Sequence, residues 1–443
     1  MLYTPIGIQY YEGVPYGFAP GFRGTNAATA RFNWDQGYPG VFTPGTMTTT
    51  PPISLFPIAS ISPDALRDGY TENFNVGAQY EINKDTRLEV SYVGNRGHHL
   101  QDPTLAADEP SPSKFFGLIN SGNAFNYVCS PKDAAANGVA YPYAGFCAPA
   151  LSAIAPYPQI SAAETTYWFY PVLYYSGLSL GQSFYDSMVA EITKRAGAGL
   201  TMDLNYTLSR QVGDTFSDFG DSYGVASIQD FSNLKEAAHT VSPYDTKHVV
   251  KGYVTYQLPF GNSKRWMSGK GRIANGIVGG WTLSGLVLYH TGQPLSFTSS
   301  NYYYYPAWAA TYVNYNLSSY TPPYFTGSAY TPPTAANPTP AGDRYLPATV
   351  AVNPTYGQLG TGSVRQDVLR GPGSANEDAS LLKYFRFGAD GRYALSVRVE
   401  FYNIFNRHSF ANPITDLNSA QFGYIPGISS SPRQGQFGAR FTW

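Results

Sequence analysis

The chain has 443 residues, of which 43% are hydrophobic, 16% aromatic and only 13% charged, with 38 tyrosines, 45 glycines and 34 prolines. Helical globular domains usually carry about twice that charge, and 28 basic against 29 acidic residues leave no basic field for nucleic acid. No window approaches the roughly 18 consecutive apolar residues of a transmembrane helix, and residues 1–9 lack the charged and apolar regions of a signal peptide.

Residues 1–69 are rich in Gly, Pro, Thr and Tyr and predict a loop-rich remnant, with at most one strand near Ala30 to Trp34. From residue 70 the pattern changes. Phe74, Val76, Ala78, Tyr80 and Ile82 alternate with Asn73, Asn75, Gly77, Gln79 and Glu81, the period-2 signal of a strand with one apolar face. Asn83-Lys84-Asp85 predicts a tight turn, and Leu88, Val90 and Tyr92 return against Arg87, Glu89 and Ser91. Residues 95–181 lose the alternation and predict one extended loop, too long for an ordinary connection. Within it, Cys129 and Cys147 stand 18 positions apart. In an oxidising compartment they predict a disulfide, worth about 3 kcal/mol in the chain-entropy model.

Strands resume over 183–195 and 200–209, joined by a short turn at 196–199. A second long loop, 211–245, gathers Asp214, Asp218, Asp221 and Asp230, but without the spacing of a calcium loop it predicts a solvated acidic segment. Strands at 247–258 and 281–290 flank a basic linker, 259–280. A third long loop, 299–375, carries Tyr302, Tyr303, Tyr304, Tyr305 and Trp308, aromatics suited to stacking on a sugar ring or a flat chelate. Strands at 379–387 and 392–405 follow, then a last long loop, 406–432. The chain closes on Gly435 to Trp443, where Phe437, Ala439, Phe441 and Trp443 oppose Gln436, Gly438, Arg440 and Thr442.

Nine strands thus alternate short connections with long ones. That asymmetry, with apolar faces outward and an aromatic terminal strand, predicts a transmembrane antiparallel β-barrel of all-β class. Counting back from Trp443 places the short turns in the periplasm and the long loops outside. The faces then assign Arg87, Glu89, Lys251, Arg398, Glu400 and Arg440 to the lumen, where they need partners. No metal motif, Gly-x-Ser-x-Gly elbow or His-Glu-x-x-His is present, and no cofactor is expected. Two other readings remain open: a secreted β-sandwich adhesin or carbohydrate-binding module, and an outer-membrane hydrolase using rim histidines such as His98 or His248.

Several segments resemble the Oar-like TonB-dependent outer-membrane receptors: Tyr92-Val93-Gly94-Asn95-Arg96-Gly97, Asn205-Tyr206-Thr207-Leu208-Ser209-Arg210, Tyr244-Asp245-Thr246-Lys247-His248, Leu258-Pro259-Phe260-Gly261, Gly279-Gly280-Trp281, Thr291-Gly292-Gln293-Pro294-Leu295 and Glu400-Phe401-Tyr402-Asn403-Ile404-Phe405-Asn406. The resemblance covers residues 70–443 and corresponds to the C-terminal portion of the barrel. It implies a plugged barrel of about 22 strands in the outer membrane of a Gram-negative bacterium, uptake of an extracellular ligand, and coupling to the TonB complex through a plug absent from this chain. It also implies that Phe437, Phe441 and Trp443 signal to the barrel-assembly machinery. With about half the strands present, an incomplete barrel of 9–10 strands, open at both edges, is expected, as is an N-terminus that is not the natural one.

Overall fold

The computed structural model describes residues 58–60, 67–106, 110–156, 158, 173–197, 199–213, 240–269, 271–297, 312–318, 320, 327–331, 342–355, 358–363, 365–387 and 392–443. Nine long strands form one antiparallel sheet: β1 (Tyr70–Asn83), β2 (Thr86–Ala106), β3 (Leu173–Ala196), β4 (Leu200–Gly213), β5 (His248–Gln257), β6 (Trp281–His290), β7 (Ser374–Phe387), β8 (Tyr393–Tyr402) and β9 (Gln434–Thr442). Each pairs with its neighbours in the chain, so the order across the sheet is the order in sequence. The sheet does not close, because β1 and β9 stand at its two ends and pair with different strands. A β-sandwich would need a second packed sheet, whereas these nine strands share one.

Register fixes the two faces. The pairs Val90↔Ala190, Ala190↔Tyr206 and Tyr206↔Val250 continue one apolar row, and Leu381↔Val399 with Val399↔Phe437 continues another. The same face carries exposed apolar side chains, Val76 at 73%, Tyr80 at 68% and Phe437 at 70% accessibility. A water-soluble protein would leave that apolar belt unburied, whereas lipid solvates it. At the short-turn end Phe387, Tyr393, Phe441 and Trp443 stack with ring centroids 6.0 to 6.2 Å apart, forming the aromatic girdle of a bilayer interface.

Three strands are longer than their alternation indicates, β2 by running to Ala106, β3 by starting at Leu173, and β7 by starting at Ser374. Above the bilayer both faces of a strand meet water, so the apolar-polar signal stops while pairing continues. Residues 95–181 are therefore not one extended loop. They contain strand extensions and a folded lobe with α1 (Pro112–Asn120), α2 (Pro131–Ala136) and α3 (Ala150–Ala153). Its core is Leu118, Val128, Ala134, Phe146, Ala148 and Ala150, and Cys129 and Cys147 are joined by a disulfide. Ser130 caps α2 by accepting the Asp133 N–H at 3.2 Å, with Pro131 at the first helical turn.

The loops after β6 and β8 likewise share one core: Leu295, Phe297, Val313, Leu346, Leu369, Phe422 and Ile425. Short paired segments, Pro294–Ser296 with Arg365–Arg370 and Asn314–Tyr315 with Ala351–Val352, frame it. In the 1–69 region Ile58–Ser60 adds a short parallel strand beside Leu173 to Tyr175.

Candidate functional site

The concave face presents polar side chains in register. One row runs Gln79, Glu89, Glu191, Asn205, Lys251, Leu288 and Asn376. Arg87 lies 3.4 Å from Glu191 and 3.7 Å from Glu89, and Gln79 donates to Glu89 at 2.8 Å. At the other edge Arg398 pairs with Glu400 at 3.2 Å, and Gln436 donates to the same carboxylate. Lys251 and Arg440 form no ion pair with another residue among those described. Arg87, Glu89, Lys251, Arg398, Glu400 and Arg440 thus share one face of the sheet, two of the cations in ion pairs and two without one among the described residues.

Between these pairs lies a cavity of about 600 Å³ lined by Glu191, Asp203, Asn205, Lys251, Tyr253, Leu286, Asn376 and Asp378. Thr193 donates to Glu191 at 3.0 Å and to Asp203 at 3.3 Å, and Asn376 donates to Asp378 at 2.9 Å. Three carboxylates, one ammonium, two amides and a phenol suit hydrogen bonding to a polyhydroxylated or peptide-like group, or to a protein segment filling the lumen. Glu191, Asp203, Asn205, Asn376 and Asp378 were not singled out from sequence, although Glu191, Asp203 and Asn205 stand on the polar side of their strands' alternation.

The long-connection end is organised by a buried ion cluster. Asp245, whose side chain is 1% exposed, accepts from Arg370 Nη2 at 2.5 Å and from the Gln211 N–H at 2.6 Å. Arg370 also reaches Asp367, which Lys247 approaches at 3.1 Å, and donates to the carbonyls of Asp245 and Gly292. Burial tends to raise the Asp367 carboxyl, but the hydrogen bonds from Arg370 and Lys247 outweigh it and hold the pKa below the ordinary value. One guanidinium thereby ties the loop after β6 to the top of β4 and β5. Lone charges in a loop carry no sequence signal for such a link, because its partners stand 125 residues apart.

Tyr302, Tyr303, Tyr304, Tyr305 and Trp308, and Asp214, Asp218, Asp221 and Asp230, lie outside the described residues. His248 Nδ1 is 2.9 Å from the Tyr206 hydroxyl, and His98 packs against the rings of Tyr70 and Phe184. Both histidines are thus engaged with aromatic side chains. Phe437, Phe441 and Trp443 stand on the convex, lipid-facing side.

The profile of the outer membrane beta barrel domain family matches residues 1–436. No curated protein matches the sequence significantly. Similar solved structures include the ferripyoverdine receptor of the outer membrane of Pseudomonas aeruginosa, at 11% identity and a TM-score of 0.33 over 84% of this chain and 27% of that one. Another is the outer membrane transporter YddB from Escherichia coli, at 7% identity and a TM-score of 0.38 over 87% of this chain and 34% of that one. A third is the FrpB iron transporter from Neisseria meningitidis, at 10% identity and a TM-score of 0.34 over 87% and 33%. The chain spans between 27% and 34% of the length of these three proteins.

Proposed function

This chain belongs to the outer membrane beta barrel domain family, and from that premise we propose that it forms the C-terminal part of the barrel of an Oar-like TonB-dependent receptor. Its role is to bind an oligosaccharide, peptide or chelate at the cell surface and admit it to the periplasm, without catalysis. The observation that carries the reading is the open nine-stranded sheet, charged on its concave face and apolar on its convex one. Unpaired strand edges are costly in hydrocarbon, so closure takes further strands around the same lumen. Under this proposal a plug fills the lumen, and Lys251 and Arg440, which have no ion-pair partner among the described residues, suit contacts to it. In this reading the TonB complex acts through that plug, the aromatics Tyr302 to Tyr305 and Trp308 contact the ligand, and Phe437, Phe441 and Trp443 are read by the barrel-assembly machinery.

Cells carrying the protein would be given labelled ferric siderophores, maltodextrins and oligopeptides. The expected result is saturable surface binding of one class, with accumulation that a protonophore abolishes. Accumulation that survives loss of the proton gradient, or no binding of any class, contradicts the proposal.

A further inference from the structure

Residues 259–280 join β5 to β6 at the short-turn end of the sheet, and they are a folded element. Phe260 bridges to Trp266 with ring centroids 5.2 Å apart, and the Asn262 N–H donates to Asn275 Oδ1 at 2.6 Å. The segment ends in a short helix, α4 (Arg272–Val278). The last carbonyls of a helix have no internal donor. Here the barrel wall supplies them: Lys383 Nζ donates to the Ile277 carbonyl at 3.1 Å and to that of Gly279, and Trp281 Nε1 donates to Ile277 at 2.9 Å.

Lys383 is 2% exposed and lies on the convex face, in the row Trp281, Lys383, Val397 and Ala439. That row is one same-face position from Phe385, Leu395 and Phe441. The rings of Trp281 and Phe385 flank the ammonium at 5.1 and 5.0 Å. A lysine on a lipid-facing surface is expensive unless its charge is occupied, and the helix end occupies it. Helix α4 is therefore clamped outside the barrel wall, beside the aromatic girdle.

Its exposed side chains do not suit water. Ile273 and Ile277, one helical turn apart, are 83% and 65% accessible, and Trp266 and Met267 are exposed as well. The same 22-residue stretch carries Lys264, Arg265, Lys270 and Arg272 and not a single acidic residue. We infer that residues 259–280 form an interfacial collar, which inserts Ile273 and Ile277 into the periplasmic leaflet and holds anionic phospholipid headgroups with Lys264 and Arg265. The lipid is the occupant because the segment continues the lipid-facing belt and its charge is complementary to such headgroups. This inference rests on membrane placement and not on the receptor reading.

The test uses the full chain in outer membranes, with a photoreactive benzoylphenylalanine placed singly at 277, at 437 in the lipid-facing belt, and at 125 in the disulfide-bonded lobe, followed by mass spectrometry of the adducts. Phospholipid adducts are expected at 277 and 437 and none at 125. Anionic headgroups should be enriched at least about twofold at 277 over 437, and the K264Q/R265Q variant should bring that ratio to one. Adducts at 437 without any at 277, adducts at 277 to protein alone, or equal headgroup distributions would overturn the collar. Absence of lipid at both positions would overturn membrane placement and the collar with it.

Discussion

Replacing Arg370 with methionine keeps most of the side-chain volume but strips the buried Asp245 carboxylate of its Arg370 ion-pair partner. The Asp245 carboxylate would retain the Gln211 N–H at 2.6 Å while its second oxygen loses the Arg370 contact. Breaking one side of a buried ion pair typically costs 3 to 5 kcal/mol; with one donor kept, the lower end applies, about 3 kcal/mol. Because 1.4 kcal/mol corresponds to a factor of ten, local opening of the loop should become roughly a hundredfold more frequent. Hydrogen exchange read by mass spectrometry would show this in peptides covering 291–297 and 365–373, while peptides from β7 and β8 stay as in the wild type. The D245N/R370M double variant should recover most of the loss, since no charge is then left unpaired. Lys247→Gln should change little, because Lys247 and Asp367 are 45% and 30% exposed and such pairs contribute about 0 to 1 kcal/mol. An R370M protein whose loop peptides exchange within about threefold of the wild type, or one whose strands and loops accelerate equally, would refute the reasoning.

Cys129→Ser should loosen the α1–α3 lobe by about 3 kcal/mol, the value for an 18-residue span, and limited proteolysis should then cut residues 110–156 first, with the strands intact. Acid should loosen both loop lobes in the same way. The Asp133 carboxyl is lowered by its hydrogen bonds from Ser130 and the Cys129 N–H, that of Asp343 by those from the Ser328 N–H and hydroxyl, and that of Asp367 by Arg370 and Lys247 against burial. A lowered carboxyl contributes stability that is complete above its unfolded pKa, near 4, and is lost as pH falls through the folded value. Near-UV circular dichroism of the loop tyrosines should therefore be flat from about pH 5 to 8 and fall below about pH 4, and a loss centred near neutrality would contradict this.

The strands were legible wherever lipid and lumen wet opposite faces. Leu200, Met202, Leu204, Tyr206 and Leu208 alternate without a break, and β4 covers them. The upper parts of β2, β3 and β7 were not legible, because residues 95–106, 173–182 and 374–378 carry no sustained apolar–polar alternation. The loop cores were hidden for a different reason. Phe146 and Val128, or Phe297, Leu346 and Ile425, come together through irregular backbone, so no period marks them. Of the cavity lining, Lys251 on β5 was readable as a charge from parity, whereas the convergence of Glu191, Asp203 and Asp378 needed the register. Lys383 did leave a trace, a single cation between Leu381 and Phe385 on the apolar face, but its partner, the end of α4, lies outside any strand pattern.

The central claim is that the convex face meets lipid and the concave face meets the lumen. An arginine scan along β8, followed by recovery of folded, heat-modifiable protein in the outer membrane, tests it most directly. Val397→Arg and Val399→Arg should each cost about 2 to 4 kcal/mol toward the bilayer midplane and deplete the folded form, whereas Leu395→Arg, level with Phe441 of the girdle, should cost about 1 kcal/mol or less. Ser396→Arg, whose side chain faces the lumen, should be recovered near the wild-type level. A scan without this two-residue period, or one with Ser396 as the sensitive position, would contradict the account.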